Sequence, residues 1–214
     1  MENTVFIQKY PPEDPRIASV NVRELLRYAG HRAEAEDELR ELLSSVIEEA
    51  LPALTYQVCY RRMPLAELPA LQASKGLTRS LRGSREVVLF GATVGLELDR
   101  LIARYQRISP ARALLFHALG AERIECLCDA FCGEFPGATT RFSPGYGDFP
   151  LSAQRDLFAL LDCSRKIGLT LNESLIMSPS KSVTAIFGVD PCEAAAPAGC
   201  AACTKQDCSF KIQG

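Results

Sequence analysis

Neither a helix nor a strand can run through residues 141–150, Arg-Phe-Ser-Pro-Gly-Tyr-Gly-Asp-Phe-Pro, so regular structure must stop there and restart. The segment holds two prolines and two glycines and carries neither a helical nor a strand period. Pro144 fixes its own φ, whereas Gly145 and Gly147 are free to take φ > 0. A shaped loop follows. Backbone N–H groups in such a loop can point inward at a ligand, with Arg141 and Tyr146 as candidate side-chain contacts. The plainer alternative is a turn-rich connection from a strand to the helix after Pro150.

On either side the pattern is regular enough to read. Val5, Phe6 and Ile7 suit a short edge strand, which Pro11, Pro12 and Pro15 bring to an end. Asn21 is an N-cap for a short helix stopping near Gly30. Leu39, Leu42, Leu43, Val46, Ile47, Ala50 and Leu51 recur at helical spacing until Pro52. Residues 54–61 alternate as a strand, 65–82 hold a helical turn or two, and 87–92 form an apolar run suited to a buried strand. Thr93 or a neighbour caps the next helix, lined by Leu98, Leu101, Ile102 and Tyr105. Ser109-Pro110 opens another helix, which continues in helical spacing past Gly120 towards Gly133. After the loop, Ser152 is the expected N-cap of a helix bearing Leu157, Phe158 and Leu161. Residues 167–171 and 182–189 read as strands separated by the turn at 177–181. Helices fall between strands without regular βαβ alternation, which points to an α+β fold with a mixed or antiparallel central sheet and flanking helices. The expected organisation is one domain over residues 1–190 and a cysteine-rich tail over 191–214.

Charge and composition exclude several classes. A net charge of −2 leaves no basic footprint for nucleic acid. No apolar run approaches the length of a membrane helix, and the N-terminus lacks the basic-then-apolar pattern of a signal peptide, so a cytoplasmic location is the expectation. There is no Gly-Lys-Ser/Thr phosphate loop and no GxGxxG. Histidine is scarce, with only His31 and His117, so hydrolytic triads and histidine-rich metal sites have little support. Nine cysteines without an export signal argue for reduced thiols or metal ligation over a disulfide framework.

Two further clusters carry possible chemistry. Glu125 and Asp129 lie four residues apart on one helix face, where they form either a pair able to receive an amine or ribose hydroxyls, or a solvated surface. Cys126, Cys128 and Cys132 on the same helix read as buried thiols acting as small hydrophobes. In the tail, Cys192, Cys200, Cys203 and Cys208 supply four thiolates, enough for tetrahedral zinc or an iron–sulfur cluster. The alternatives there are exposed thiols, or a redox dithiol at Cys200 and Cys203.

The loop and the segment after it, residues 167–188, together resemble the activation (reactivation) domain of cobalamin-dependent methionine synthase. Arg141, Pro144, Gly145, Tyr146 and Pro150 match its Arg-x-x-Pro-Gly-Tyr motif with the following proline. Leu171, Glu173, Ser174, Met177, Pro179, Ser182 and Val183 match its second motif, with Asn172 where threonine is usual. The resemblance implies an α+β unit that binds S-adenosylmethionine and serves the reductive remethylation of a cobalamin carried by a partner. It implies that Arg141 pairs with the ligand carboxylate, that Ser143 and Gly145 hold it through backbone groups, and that Tyr146 faces the corrin. Glu125 or Asp129 would supply an acidic contact. The implied partner is a cobalamin-binding methionine synthase or a related corrinoid protein, with flavodoxin or ferredoxin as the kind of electron donor, and a tail cluster as a possible electron source. The chain would then be a component of a methyltransferase system and not a complete enzyme. A metal- or cluster-stabilised adaptor of another corrinoid or redox protein, without catalysis, is the alternative.

Overall fold

The central strands are apolar almost throughout because both faces of the sheet are covered. In the computed structural model, which describes residues 4–31, 37–68 and 74–191, the strands β1 (Phe6–Tyr10), β2 (Tyr56–Pro64), β3 (Ser84–Thr93) and β6 (Ser182–Pro191) form one sheet in the order β1-β2-β3-β6. Every pairing is antiparallel, which resolves the mixed-or-antiparallel expectation. The helices are α1 (Val22–Tyr28), α2 (Asp37–Ala50), α3 (Lys75–Ser80), α4 (Glu97–Ile108), α5 (Pro110–Cys132), α6 (Gln154–Leu161) and α7 (Cys163–Ile167). Two-residue strands β4 (Thr170–Leu171) and β5 (Met177–Ser178) make a separate hairpin.

Strand alternation sorts the core into two halves. Val88, Phe90 and Ala92 of β3 and Ala185, Phe187 and Val189 of β6 face α1, α2, α4 and α5. Val87, Leu89 and Ile186 face the opposite way, towards Leu77 of α3, Leu157 and Leu161 of α6, and Phe149 of the Arg141 loop. Phe131 of α5 anchors the first half, its ring centroid 5.1 Å from both Tyr60 and Phe90.

The proline-rich lead-in is stitched to α5 by polar contacts. Arg123 is fully buried; its guanidinium donates to the carbonyls of Ile17 and Ser19 and pairs with Glu122. Glu122 also accepts the Asn21 N–H at 3.0 Å. Just past α5, Glu134 accepts hydrogen bonds from Gln8, Tyr10 and Arg16. The bonds made by Ile17, Ser19, Asn21 and Arg16 stand in for regular secondary structure in a segment that its prolines keep irregular, and those of Gln8 and Tyr10 tie the end of β1 to the same helix end.

Three local expectations need correction. Thr93 does not cap α4: its hydroxyl accepts the Gly95 N–H, and the helix starts behind Leu96, whose side chain has no acceptor. Ser152 sits inside a 3-10 turn, Leu151–Ala153, and Pro150 precedes that turn without a side-chain cap. Residues 167–171 are not one strand. Ile167 ends α7, Gly168 turns the chain at φ 67°, and only Thr170 and Leu171 pair, with β5. The Asn21 and Ser109 caps form as expected, each side chain accepting a helical N–H.

Candidate functional site

The Arg141 loop is held at both ends before any ligand is considered. On its entry side, Thr139 N–H donates to Gly188 O and Gly188 N–H to the Thr139 hydroxyl, both at 2.9 Å. Phe142 and Ile186 exchange backbone hydrogen bonds of 2.8 and 3.0 Å, so residues 139–142 dock along the outer edge of β6. On the exit side, Asp148 accepts from the Ser74 hydroxyl at 2.6 Å and from the N–H groups of Lys75 and Gly76 at 2.7 and 3.0 Å. Gly76 leaves room for this contact: a Cβ there would lie 2.8 Å from an Asp148 oxygen and 3.0 Å from the Phe142 ring, so a side chain would push one or both aside. Between these anchors Gly145 and Gly147 adopt φ of 92° and 54°, as their placement in the sequence allows.

The turn consumes some of the donors expected to face a ligand. Gly145 N–H donates to Phe149 O at 2.8 Å and Tyr146 N–H to Ser143 O at 3.1 Å. What Gly145 can offer a ligand is therefore its carbonyl and its exposed backbone surface. Phe149 is buried under the loop, while Tyr146 is 59% exposed, its ring edge-on to Phe142.

Arg141 reaches back to α5. One guanidinium nitrogen donates to Glu125 and another to Asp129, each at 2.5 Å. The side chain of Arg141 is 21% exposed, against 40% for Glu125 and 71% for Asp129, so a cation rooted in the protein carries two carboxylates that open to solvent. Burial opposes the arginine charge, but the two carboxylates outweigh it, and the pKa moves up. Asp129 sits in the last turn of α5, where the helix dipole disfavours negative charge. Arg141 offsets that penalty. One cation between two anions leaves the cluster at a net −1, with a donor fork for a carboxylate and two acceptors for an ammonium.

Of the residues singled out from the sequence, Arg141, Glu125 and Asp129 meet, and Ser143, Gly145 and Tyr146 form the adjoining turn. Asp148 and its anchor on α3 were not anticipated. The signal available was Ser74, whose hydroxyl also caps α3 by accepting the Leu77 N–H. Of the three thiols read as buried, Cys128 is, whereas Cys126 and Cys132 are half-buried; burial pushes all three up, Cys132 to about 11. Among the described residues no three His, Cys, Asp or Glu side chains gather as a metal site, and no helix is long and apolar enough to cross a membrane. Cys192, Cys200, Cys203 and Cys208 lie outside the described residues.

The resemblance read from the two motifs is borne out. Residues 133–196 match the family model described as vitamin B12 dependent methionine synthase, activation domain. The fold is similar to that of the MetH reactivation domain in its crystal structure bound to AdoHcy, with a TM-score of 0.67 and 15% sequence identity. That superposition covers 89% of this chain and 79% of the other. No curated protein matches the sequence.

Proposed function

We propose that the chain binds S-adenosylmethionine at the Arg141 loop and acts in the reductive reactivation of a cobalamin-dependent methionine synthase. The observation that carries this reading is the Arg141–Glu125–Asp129 cluster at the head of an Arg-x-x-Pro-Gly-Tyr loop, within a fold like that of a reactivation domain bound to AdoHcy. The donor set fits the amino-acid end of the ligand. Arg141 exchanges its carboxylate partners for the ligand carboxylate, and the released Glu125 and Asp129 receive the ligand ammonium. With its sulfonium the ligand has a net charge of +1, complementary to a cluster of net −1. Ser143 and the Gly145 carbonyl line the ligand on the loop side, and Tyr146, exposed on the loop, stacks beside it towards the partner.

When bound, the ligand supplies a methyl group activated as a sulfonium. The chain's own part is to bind and orient that group. The accepting cobalt is carried by the partner, a cobalamin-binding methionine synthase or related corrinoid protein, and the electron comes from a donor of the flavodoxin or ferredoxin kind. Residues 1–190 are the working unit in this reading, and 191–214 a separate cysteine-rich segment whose four thiols take zinc or a cluster. Iron, sulfide and zinc analysis after anaerobic purification checks that last assignment.

The functional test is the reactivation assay with cob(II)alamin methionine synthase, a low-potential reductant and S-adenosylmethionine. Recovery of turnover that depends on this chain is expected. Recovery that is the same without the chain would overturn the proposal.

A further inference from the structure

Away from the Arg141 loop, on the other half of the core, two thiols meet across the structure. Cys59 on β2 and Cys163 at the start of α7 are fully buried, with their sulfurs 3.7 Å apart although the residues are 104 positions apart in sequence. Gly91 creates the room. It pairs with Cys59 in the sheet register, and a Cβ there would lie 3.0 Å from the Cys163 sulfur and 3.4 Å from that of Cys59. A glycine on a central strand normally weakens packing, so this one has a specific use: it lets a sulfur from the covering helix sit down against the sheet beside another. Both cysteines are free thiols in this structure.

We propose that Cys59 and Cys163 form a redox dithiol, a modification site at which a peroxide makes a disulfide that ties β2 to α7. Access comes through α7. This helix has a single turn, too short to be stable alone, and left-handed residues bound it at Asp162 (φ 49°) and Gly168 (φ 67°). Local opening of such an element exposes Cys163 without unfolding the sheet. One thiol of the pair attacks the peroxide, and its neighbour, 3.7 Å away, resolves the product.

The electrons balance as follows. The first cysteine's thiolate attacks one peroxide oxygen, the O–O bond breaks, and protonation releases water, leaving a sulfenic acid on that cysteine. The second cysteine's sulfur then attacks that sulfur. The S–S bond forms, the S–O bond breaks, and the departing hydroxide takes the second thiol's proton and leaves as a second water. Two electrons pass from the thiols to the peroxide.

The test treats the reduced, folded chain with hydrogen peroxide, unfolds it in N-ethylmaleimide, and maps peptides without reductant. A peptide pair joining Cys59 to Cys163 is expected, together with a raised thermal midpoint that dithiothreitol reverses, because the link closes a long loop in the unfolded chain. Cys163→Ser should abolish both changes; if that variant does not fold, the wild-type peptide map decides alone. Maleimide on both residues after peroxide, sulfinic acid on either without a link, or a link from either residue to Cys192, Cys200, Cys203 or Cys208 would each overturn the proposal.

Discussion

At the scale of single residues, two arginines sit in contrasting surroundings, one sealed in the core and one holding carboxylates that face solvent. Arg123 has no exposure and satisfies two backbone carbonyls and Glu122. Arg123→Ala leaves Glu122 buried beside unpaired carbonyls, and it should cost about 3–5 kcal/mol by urea unfolding. Arg141 is different. Its partners face solvent, so Arg141→Ala should leave stability within about 1 kcal/mol of the parent while removing the proposed ligand fork. Arg141→Lys should not restore binding, because a point charge cannot reproduce the two-pronged geometry. A Lys variant with full affinity would refute the bidentate role. The Glu125–Asp129 pair was legible from its four-residue spacing alone. That Arg141 lies between the two was not, because this contact depends on how residues 139–142 dock on β6, which no local pattern encodes. Arg123 illustrates the same limit: on a helix it reads as a surface residue, and only the path of the lead-in buries it.

At the scale of elements, α5 is the spine that joins core to site. Its Phe131 ring packs with Tyr60, Phe90, Phe135 and Phe187, so Phe131→Ala should cost about 3–5 kcal/mol. A loss under about 1 kcal/mol would mean the cluster repacks. The irregular segments are held by carboxylates, and this gives a pH signature. Hydrogen bonds from Arg16 hold Asp14 at about 2, and those from the Ser74 hydroxyl and the α3 backbone hold Asp148 below its usual value. For Glu134, burial pulls upward but the donors Gln8, Tyr10 and Arg16 prevail, and its pKa is also lowered. Groups depressed in the folded state contribute stability that is complete above the ordinary carboxylate range and is lost as pH falls through the folded values. Urea midpoints should therefore drop steeply as the pH is lowered from about 4 to about 2, and Glu134→Gln should flatten part of that fall. Unchanged slopes in the variant would contradict the clamp. Long periodic elements such as α2 and α5 were readable because their apolar spacing coincides with their burial. Ile167, Leu169 and Leu171 misled for the opposite reason: they alternate like a strand, but Gly168 turns the chain between a helix end and a two-residue hairpin strand.

At the scale of the whole molecule, an antiparallel sheet packed on both faces presents its outer edge at β6 to the Arg141 loop, and α5 on one face brings the acids to the same place. The α+β class followed from the order of helices and strands. The sheet order did not, since β6 joins β3 across the whole of α4 to α7. The net charge of the cluster makes a further prediction. S-adenosylmethionine, carrying a sulfonium, should lose affinity with added salt more steeply than AdoHcy, which lacks it. Equal salt slopes by titration calorimetry would remove the charge argument.

Calorimetric titration of S-adenosylmethionine into the parent chain and into Arg141→Ala, at matched unfolding midpoints, tests the central claim most directly. The account predicts saturable one-site binding to the parent and an affinity at least ~10-fold weaker in the variant, the loss expected for a charge-assisted hydrogen bond worth about 1.5–3 kcal/mol. No binding to the parent, or the same affinity in both proteins, would contradict it.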